Sequence, residues 1–236
     1  MATLADIEER VIEGQSPSRV FIEHLARYEF AVRYAADRRV LDVACGSGYG
    51  SSRLRKAGAR EVVGVDAAAD VVEYAANRYG GDGIRFLTGD AHDPPVTGPF
   101  DLIVSFETIE HLERPQLFLQ TCRELLAPNG VLLVSTPYRH DVQPDGRPIN
   151  PFHRQEWRTE EFAALLRNWF GVVEMHGQAL KLEKRRFQLN RRWAAPLAWL
   201  QGHRLRDPWD IYRLPGPRFG GLWRPYPAYL LAVCHP

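Results

Sequence analysis

The sequence predicts an α/β fold: a doubly wound, mostly parallel, seven-stranded sheet with N-terminal helices and a basic aromatic insertion before the last strand. Three observations carry this. Short apolar runs alternate with amphipathic segments along most of the chain. A glycine-rich turn follows the first apolar run and opens the next helix. The 236 residues, 45% of them hydrophobic, supply core enough for one large domain.

From Ser18 to about Asp37, Phe21, Leu25, Tyr28 and Val32 recur every three or four positions, predicting an amphipathic helix, with a shorter one ahead of it at Leu4 to Val11. Arg39 to Ala44 reads as a buried strand, Gly48 to Ala57 as a helix and Glu61 to Val65 as a second strand. Asp70 to Arg78 is expected to be helical, Ile84 to Leu87 and Phe100 to Phe106 extended, with Pro94 and Pro95 punctuating the loop between them. Pro115 suits a first helical position, and the helix runs to Leu126 with Phe118, Cys122 and Leu125 on one face. Pro128-Asn129-Gly130 turns the chain into a fifth strand, Val131 to Ser135. Thr159 is the expected cap of a helix striped by Phe162, Leu165, Leu166 and Trp169. Val172 to Met175 and Tyr229 to Val233 complete the seven strands. The whole is one domain: residues 1–37 as leading helices, 38–178 as the core, 179–225 as the insertion, 226–236 as the last strand.

Charge and cysteines narrow the functional classes. Thirty Lys and Arg against 29 Asp and Glu leave a net charge of +1, which speaks against long nucleic acid as a partner. Lys181 to Arg224 is different, with eleven Lys and Arg against three acids and four of the six tryptophans. It reads as a grip on an anionic acceptor, as a contact with an anionic membrane surface, or as a packed cap with solvated arginines. Cys45, Cys122 and Cys234 are too few and scattered for a disulfide framework, which suits a reducing compartment. The N-terminus is acidic and lacks an apolar stretch of signal-peptide length, and no later window reaches about 18 uncharged apolar residues. The expectation is a cytoplasmic chain of unspecified oligomeric state.

The glycine-rich turn reads Asp42-Val-Ala44-Cys-Gly46-Ser-Gly48-Tyr-Gly50. The second strand leads to Asp66, 20 residues beyond Gly46, the spacing at which an acid accepts hydrogen bonds from ribose hydroxyls. A dinucleotide site wants G-x-G-x-x-G; here the pattern is G-x-G-x-G, with Asp42 just before it better placed for a cationic group than for a pyrophosphate. Gly89-Asp90-Ala91 follows the third strand, where a carboxylate suits an adenine amino group.

Together with LAPNGVLLVSTP at 126–137, these motifs resemble those of class I S-adenosylmethionine-dependent methyltransferases, over roughly residues 37 to 178. The resemblance implies a Rossmann-like fold and S-adenosyl-L-methionine as cofactor. It places Asp42 and Gly46 at the methionine part, Asp66 at the ribose and Asp90 and Ala91 at the adenine, with Ala44, Gly48 and Phe106 as further expected cofactor contacts. Ala44 departs from the family, which usually has glycine there.

After the fourth strand stands Glu107-Thr-Ile-Glu110-His111, whose positions i, i+3 and i+4 share a face in a helical turn. His153 lies past the fifth strand, on the same side of the sheet. The stretch resembles the metal site of small-RNA 2′-O-methyltransferases, and its first part that of ubiquinone-biosynthesis O-methyltransferases. Carried over, Glu107, Glu110, His111 and His153 hold a divalent ion, Mn²⁺ or with poorer ligand match Mg²⁺, that activates an acceptor hydroxyl. In the other readings His111 or His153 acts as general base without metal, or Glu110 and His111 brace the loop. His111, His153 and Glu107 are the catalytic candidates. FETIEHL, STP and NPFHRQEW together resemble bacterial methyltransferases of polysaccharide and glycosylated natural-product pathways. The expected reaction is O-methylation of an anionic sugar or glycosylated small molecule. The alternatives are RNA ribose 2′-O-methylation and methylation of a catechol or quinol.

Overall fold

The computed structural model describes residues 18–140, 142–178, 211–214 and 227–236. Its single sheet runs, in spatial order, through residues 84–88, 61–66, 39–43, 100–106, 126–137, 229–235, 172–178 and 211–213. The first five strands are β1 (Arg39–Val43), β2 (Glu61–Asp66), β3 (Ile84–Thr88), β4 (Phe100–Phe106) and β5 (Leu126–Pro137), all mutually parallel. β8 (Tyr229–His235) inserts antiparallel between β5 and β6 (Val172–Gln178). These are the seven expected strands. A three-residue strand, β7 (Ile211–Arg213), adds an antiparallel edge beside β6 and, among the described residues, is the part of the basic insertion placed in the sheet. The rest of that insertion, and the helix expected at Leu4 to Val11, lie outside the described residues.

The central strands are apolar on both faces because helices cover both. Val40 of β1 packs into one layer with Leu102 and Leu133, while its neighbour Leu41 packs into the other with Ile103 and Leu132. α1 (Ser18–Ala31), α2 (Tyr49–Lys56) and α3 (Ala69–Tyr79) lie on the first side, α4 (Pro115–Leu125) and α5 (Thr159–Arg167) on the second. Cys45, Cys122 and Cys234 are buried thiols. Among the described residues no helix is long and apolar enough to cross a membrane.

Four boundaries differ from expectation. α1 stops at Ala31 and tightens into a 3₁₀ turn over Val32–Tyr34, because Asp37 takes φ 59° to swing the chain into β1. α4 ends at Leu125, since Leu126 is already extended and pairs with Phe100. The expected Pro128-Asn129-Gly130 turn is an excursion within β5: Leu126 pairs with Phe100 and Val131 with Leu102, so the residues between loop out. Arg158, not Thr159, is the N-cap of α5; its N–H donates to Glu161 Oε2 at 2.8 Å.

α1 is seated on the glycine turn. A Cβ built on Gly50 falls 2.0–2.4 Å from the Tyr28 ring, so only glycine allows this approach. Gly50→Ala is therefore expected to cost about 1–3 kcal/mol through overpacking. Urea unfolding measures it, and a stability equal to wild type would contradict the contact.

Candidate active site

Parallel β1 and β4 lie side by side and end together at the carboxyl edge of the sheet, where a ligand crevice is expected. Both leave the sheet through left-handed residues that are not glycine: Ala44 at φ 59° and Glu107 at φ 56°. Such a conformation costs a side-chain-bearing residue about 1–2 kcal/mol. It explains why glycine usually stands at the position of Ala44. Beyond Ala44, Cys45 N–H donates to Val65 O at 3.0 Å and Gly46 N–H to Asp66 Oδ2 at 2.9 Å, tying the turn to the end of β2.

A cavity of about 670 Å³ opens at this edge. Ala44, Asp66, Asp90 and Ala91 line one part, and Thr108 and His111 another. Four expected cofactor residues and one catalytic candidate thus share a single crevice. A Cβ on Gly46 meets nothing within 4 Å, so the turn's backbone there faces open space. Asp66 accepts the N–H groups of Gly46 and Ala68, one on each oxygen (2.9 and 3.1 Å), and a carboxylate keeps lone pairs beyond these for ribose hydroxyls. Asp90 is fixed by a residue that the sequence reasoning passed over: His92 donates its backbone N–H to Asp90 Oδ1, and its ring nitrogen lies 2.8 Å from the same oxygen. The backbone bond first, then the ring, holds the Asp90 carboxyl below its usual range.

Asp42, Gly48 and Phe106 take places other than those expected. Gly48 has φ 81° and a would-be Cβ 2.7 Å from Ala75 and 2.9 Å from Phe86, so it lets α3 and β3 pack close. Phe106 is buried with its ring edge-on to Tyr28 at 5.1 Å. Asp42 is completely buried beneath the turn, accepting from Ser51 Oγ at 2.6 Å and Tyr28 Oη at 3.1 Å. Burial pushes its carboxyl up from 3.8 to about 7, against the opposing pull of the Ser51 and Tyr28 bonds.

The expected four-ligand cluster forms as three. Glu110, His111 and His153 each bring a ligand atom to within 4.8 Å of the others. The His111 and His153 rings lie 5.0 Å apart. Glu107 does not join them. Its left-handed backbone removes it from the 3₁₀ turn over Ile109–His111, so the shared-face argument fails; it accepts instead from Ser135 Oγ at 2.7 Å and faces Arg27 Nη2 at 3.9 Å. Glu110 has no exposed surface, and neither carboxylate oxygen makes a hydrogen bond of ordinary geometry, the buried Thr136 hydroxyl and the Arg27 charge being the groups that favour its ionised form. Burial first, then the charge of Glu107, pushes its carboxyl well above the usual range.

α1 contributes residues that periodicity cannot reveal. Glu23 and Arg27, four apart and opposite the Phe21-Leu25-Tyr28 stripe, are both buried against β6 and β8. Arg27 Nη1 donates to Gln178 Oε1 at 2.7 Å and its guanidinium lies 4.5 Å over the Tyr229 ring, whose hydroxyl donates to Glu23 at 3.1 Å. A charged pair on a helix with apolar residues all round was the available signal.

A family model described as a methyltransferase domain matches residues 41–134, which span the glycine turn, Asp66, Asp90 and the Glu110-His111 turn. A probable S-adenosylmethionine-dependent methyltransferase of Mycolicibacterium smegmatis is 36% identical over 162 residues, 67% of this chain and 62% of that protein. The chain belongs to the class I S-adenosylmethionine-dependent methyltransferase family. A ubiquinone biosynthesis O-methyltransferase of a Caulobacter species is 35% identical over 102 residues, covering 42% of this chain and 40% of its own. The solved S-adenosylmethionine-dependent methyltransferase of Mesorhizobium loti has the same fold, with TM-score 0.57 and 17% identity over 90% of this chain and all of that one. The chain spans between about half and two thirds of the curated methyltransferases it matches first, 53% and 62% of their lengths. The methyltransferase fold implies S-adenosylmethionine, and the crevice fits it: open backbone at Gly46, spare acceptor capacity on Asp66 and an oriented Asp90.

Two outcomes test this geometry. Asp66→Ala is expected to weaken S-adenosylhomocysteine binding by at least about 1.5 kcal/mol, the scale of a lost hydrogen bond to a charged group; unchanged calorimetric affinity would contradict it. Asp42 binds its proton more tightly folded than unfolded, so its contribution to stability is lost as pH rises from about 4 to about 7. Asp42→Asn lacks that loss, and urea titrations should show its stability relative to wild type improving across the window. A difference independent of pH would contradict the buried-carboxyl account.

Proposed function

We propose that this chain transfers a methyl group from S-adenosylmethionine to a hydroxyl of a sugar or glycosylated metabolite, aided by a divalent cation at Glu110, His111 and His153. The observation that carries the reading is Glu110. A carboxylate with no exposure and no hydrogen bond of ordinary geometry, with only the Thr136 hydroxyl near and two imidazoles beside it, is costly unless a proton or a cation completes it. The mixed oxygen and nitrogen donors suit Mn²⁺ better than Mg²⁺. His111 also lines the cofactor crevice, which supports an acceptor held beside the cluster.

The chain's own residues would divide the work as follows. Asp66 and Asp90 hold the nucleoside and so fix the sulfonium near the ends of β1 and β4. Glu110, His111 and His153 would hold a divalent cation, whose chemistry there would be to lower the pKa of the acceptor hydroxyl. The hydroxyl oxygen forms a bond to the methyl carbon as the carbon–sulfur bond breaks; the hydroxyl proton passes to an imidazole or to water, and sulfur leaves as a thioether. Arg114, Glu113 and Arg154 line the same crevice, with Arg154 paired to Glu113 at 2.9 Å, a polar mouth that supports a hydroxylated acceptor. A quinol or catechol acceptor is the second reading, supported by the names of the ubiquinone-pathway relatives.

The test is transfer of isotope-labelled methyl to nucleotide sugars, glycosides, quinols and short RNAs, each with Mn²⁺ and with EDTA. The expected result is labelling of a sugar that chelation abolishes. Glu110→Ala should remove the stimulation by metal while leaving S-adenosylhomocysteine affinity within about twofold, because it touches no cofactor contact. Full activity after exhaustive chelation removes the cation from the mechanism.

A further inference from the structure

The segment carrying His153 is tied to the site at several points. Arg154 and Gln155 donate their backbone N–H groups to Glu110 O at 2.8 and 3.3 Å, and Arg139 N–H donates to Trp157 O at 2.9 Å. Within it runs a directed chain of hydrogen bonds. Phe152 N–H donates to Asn150 Oδ1 at 3.0 Å, which fixes the Asn150 amide with its Nδ2 turned the other way. That Nδ2 lies 2.9 Å from His153 Nε2. An amide nitrogen only donates, so Nε2 must be the acceptor and carry a lone pair. The ring hydrogen is then on Nδ1, which stands 2.5 Å from Glu156 Oε1.

We propose that Glu156 is a positioning residue that fixes His153 as the Nδ1–H tautomer and so reserves the Nε2 lone pair for the site. This rests on the reading that His153 serves the acceptor. It holds whether the lone pair meets a cation or a hydroxyl proton, because both demand an unprotonated nitrogen. His153 and Glu156 side chains are only 9% and 11% exposed, so water competes poorly for either nitrogen. Asn150 is the placeholder on Nε2 that a cation or an acceptor displaces. Glu156→Gln keeps the shape but replaces the charged acceptor at Nδ1 with a neutral amide that can present either its oxygen or its N–H₂, so the hold on the Nδ1–H tautomer weakens.

The experiment uses the full chain with ring-¹⁵N histidine, His153→Asn assigning the signals, and Mn²⁺ titration followed by electron paramagnetic resonance. In the wild type the expected result is a protonated Nδ1 and an unprotonated Nε2 at His153. Glu156→Gln is expected to reverse or mix this pattern and to weaken Mn²⁺ by about tenfold or more, with S-adenosylhomocysteine affinity unchanged. A wild-type His153 protonated on Nε2 overturns the proposal without any variant. So does a Glu156→Gln protein that keeps the wild-type tautomer. If wild type takes up no Mn²⁺, the cation reading fails, and the tautomer spectra alone decide the role of Glu156.

Discussion

The site depends on how two neighbouring strands leave the sheet. β1 and β4 run parallel and end side by side, and at each end a residue with a side chain, Ala44 or Glu107, is held in the left-handed region. Neither turn pays its own conformational cost; the surroundings hold it there. At Ala44 the restraint is the Gly46 bond to Asp66 and the buried Asp42 beneath. At Glu107 it is Ser135, which donates to the Glu107 carboxylate, with Arg27 of α1 close by. One turn opens the nucleoside crevice, and the other directs the chain into the Glu110-His111 turn.

Around these turns the fold buries ionisable groups that would be expensive without purpose. Asp42, Glu110 and Arg27 have no exposed surface, and burial raises the carboxyls of the first two. A region crowded with buried acids suits cationic ligands, and the proposed chemistry has two: the sulfonium of the cofactor and a divalent ion. α1 closes the region from above, with Tyr28 over the glycine turn and Arg27 between Glu107 and the Tyr229 ring. Its two faces thus serve the two halves of the site.

Much of this was legible in the chain itself. The strands show because they are apolar on both faces, and Asp66 shows because a strand of known length delivers it to the edge. Glu107 was misplaced for a physical reason: its spacing to Glu110 and His111 is helical, but its backbone is not, and a left-handed residue points elsewhere. Asp42 was read as facing the ligand because motif order carries no information on depth. Glu23 and Arg27 were missed because an i, i+4 charged pair on a helix looks the same whether water or another strand faces it. His92 and Glu156 act through hydrogen bonds to neighbours, a role that residue type alone does not declare.

The most direct measurement is a crystal structure with S-adenosylhomocysteine and Mn²⁺, collected for anomalous scattering. The account predicts the ribose on Asp66, the adenine beside Asp90 and Ala91, and an anomalous peak among Glu110, His111 and His153. A nucleoside seated away from Asp66, or Mn²⁺ absent from the three ligands while the nucleoside is bound, would contradict it.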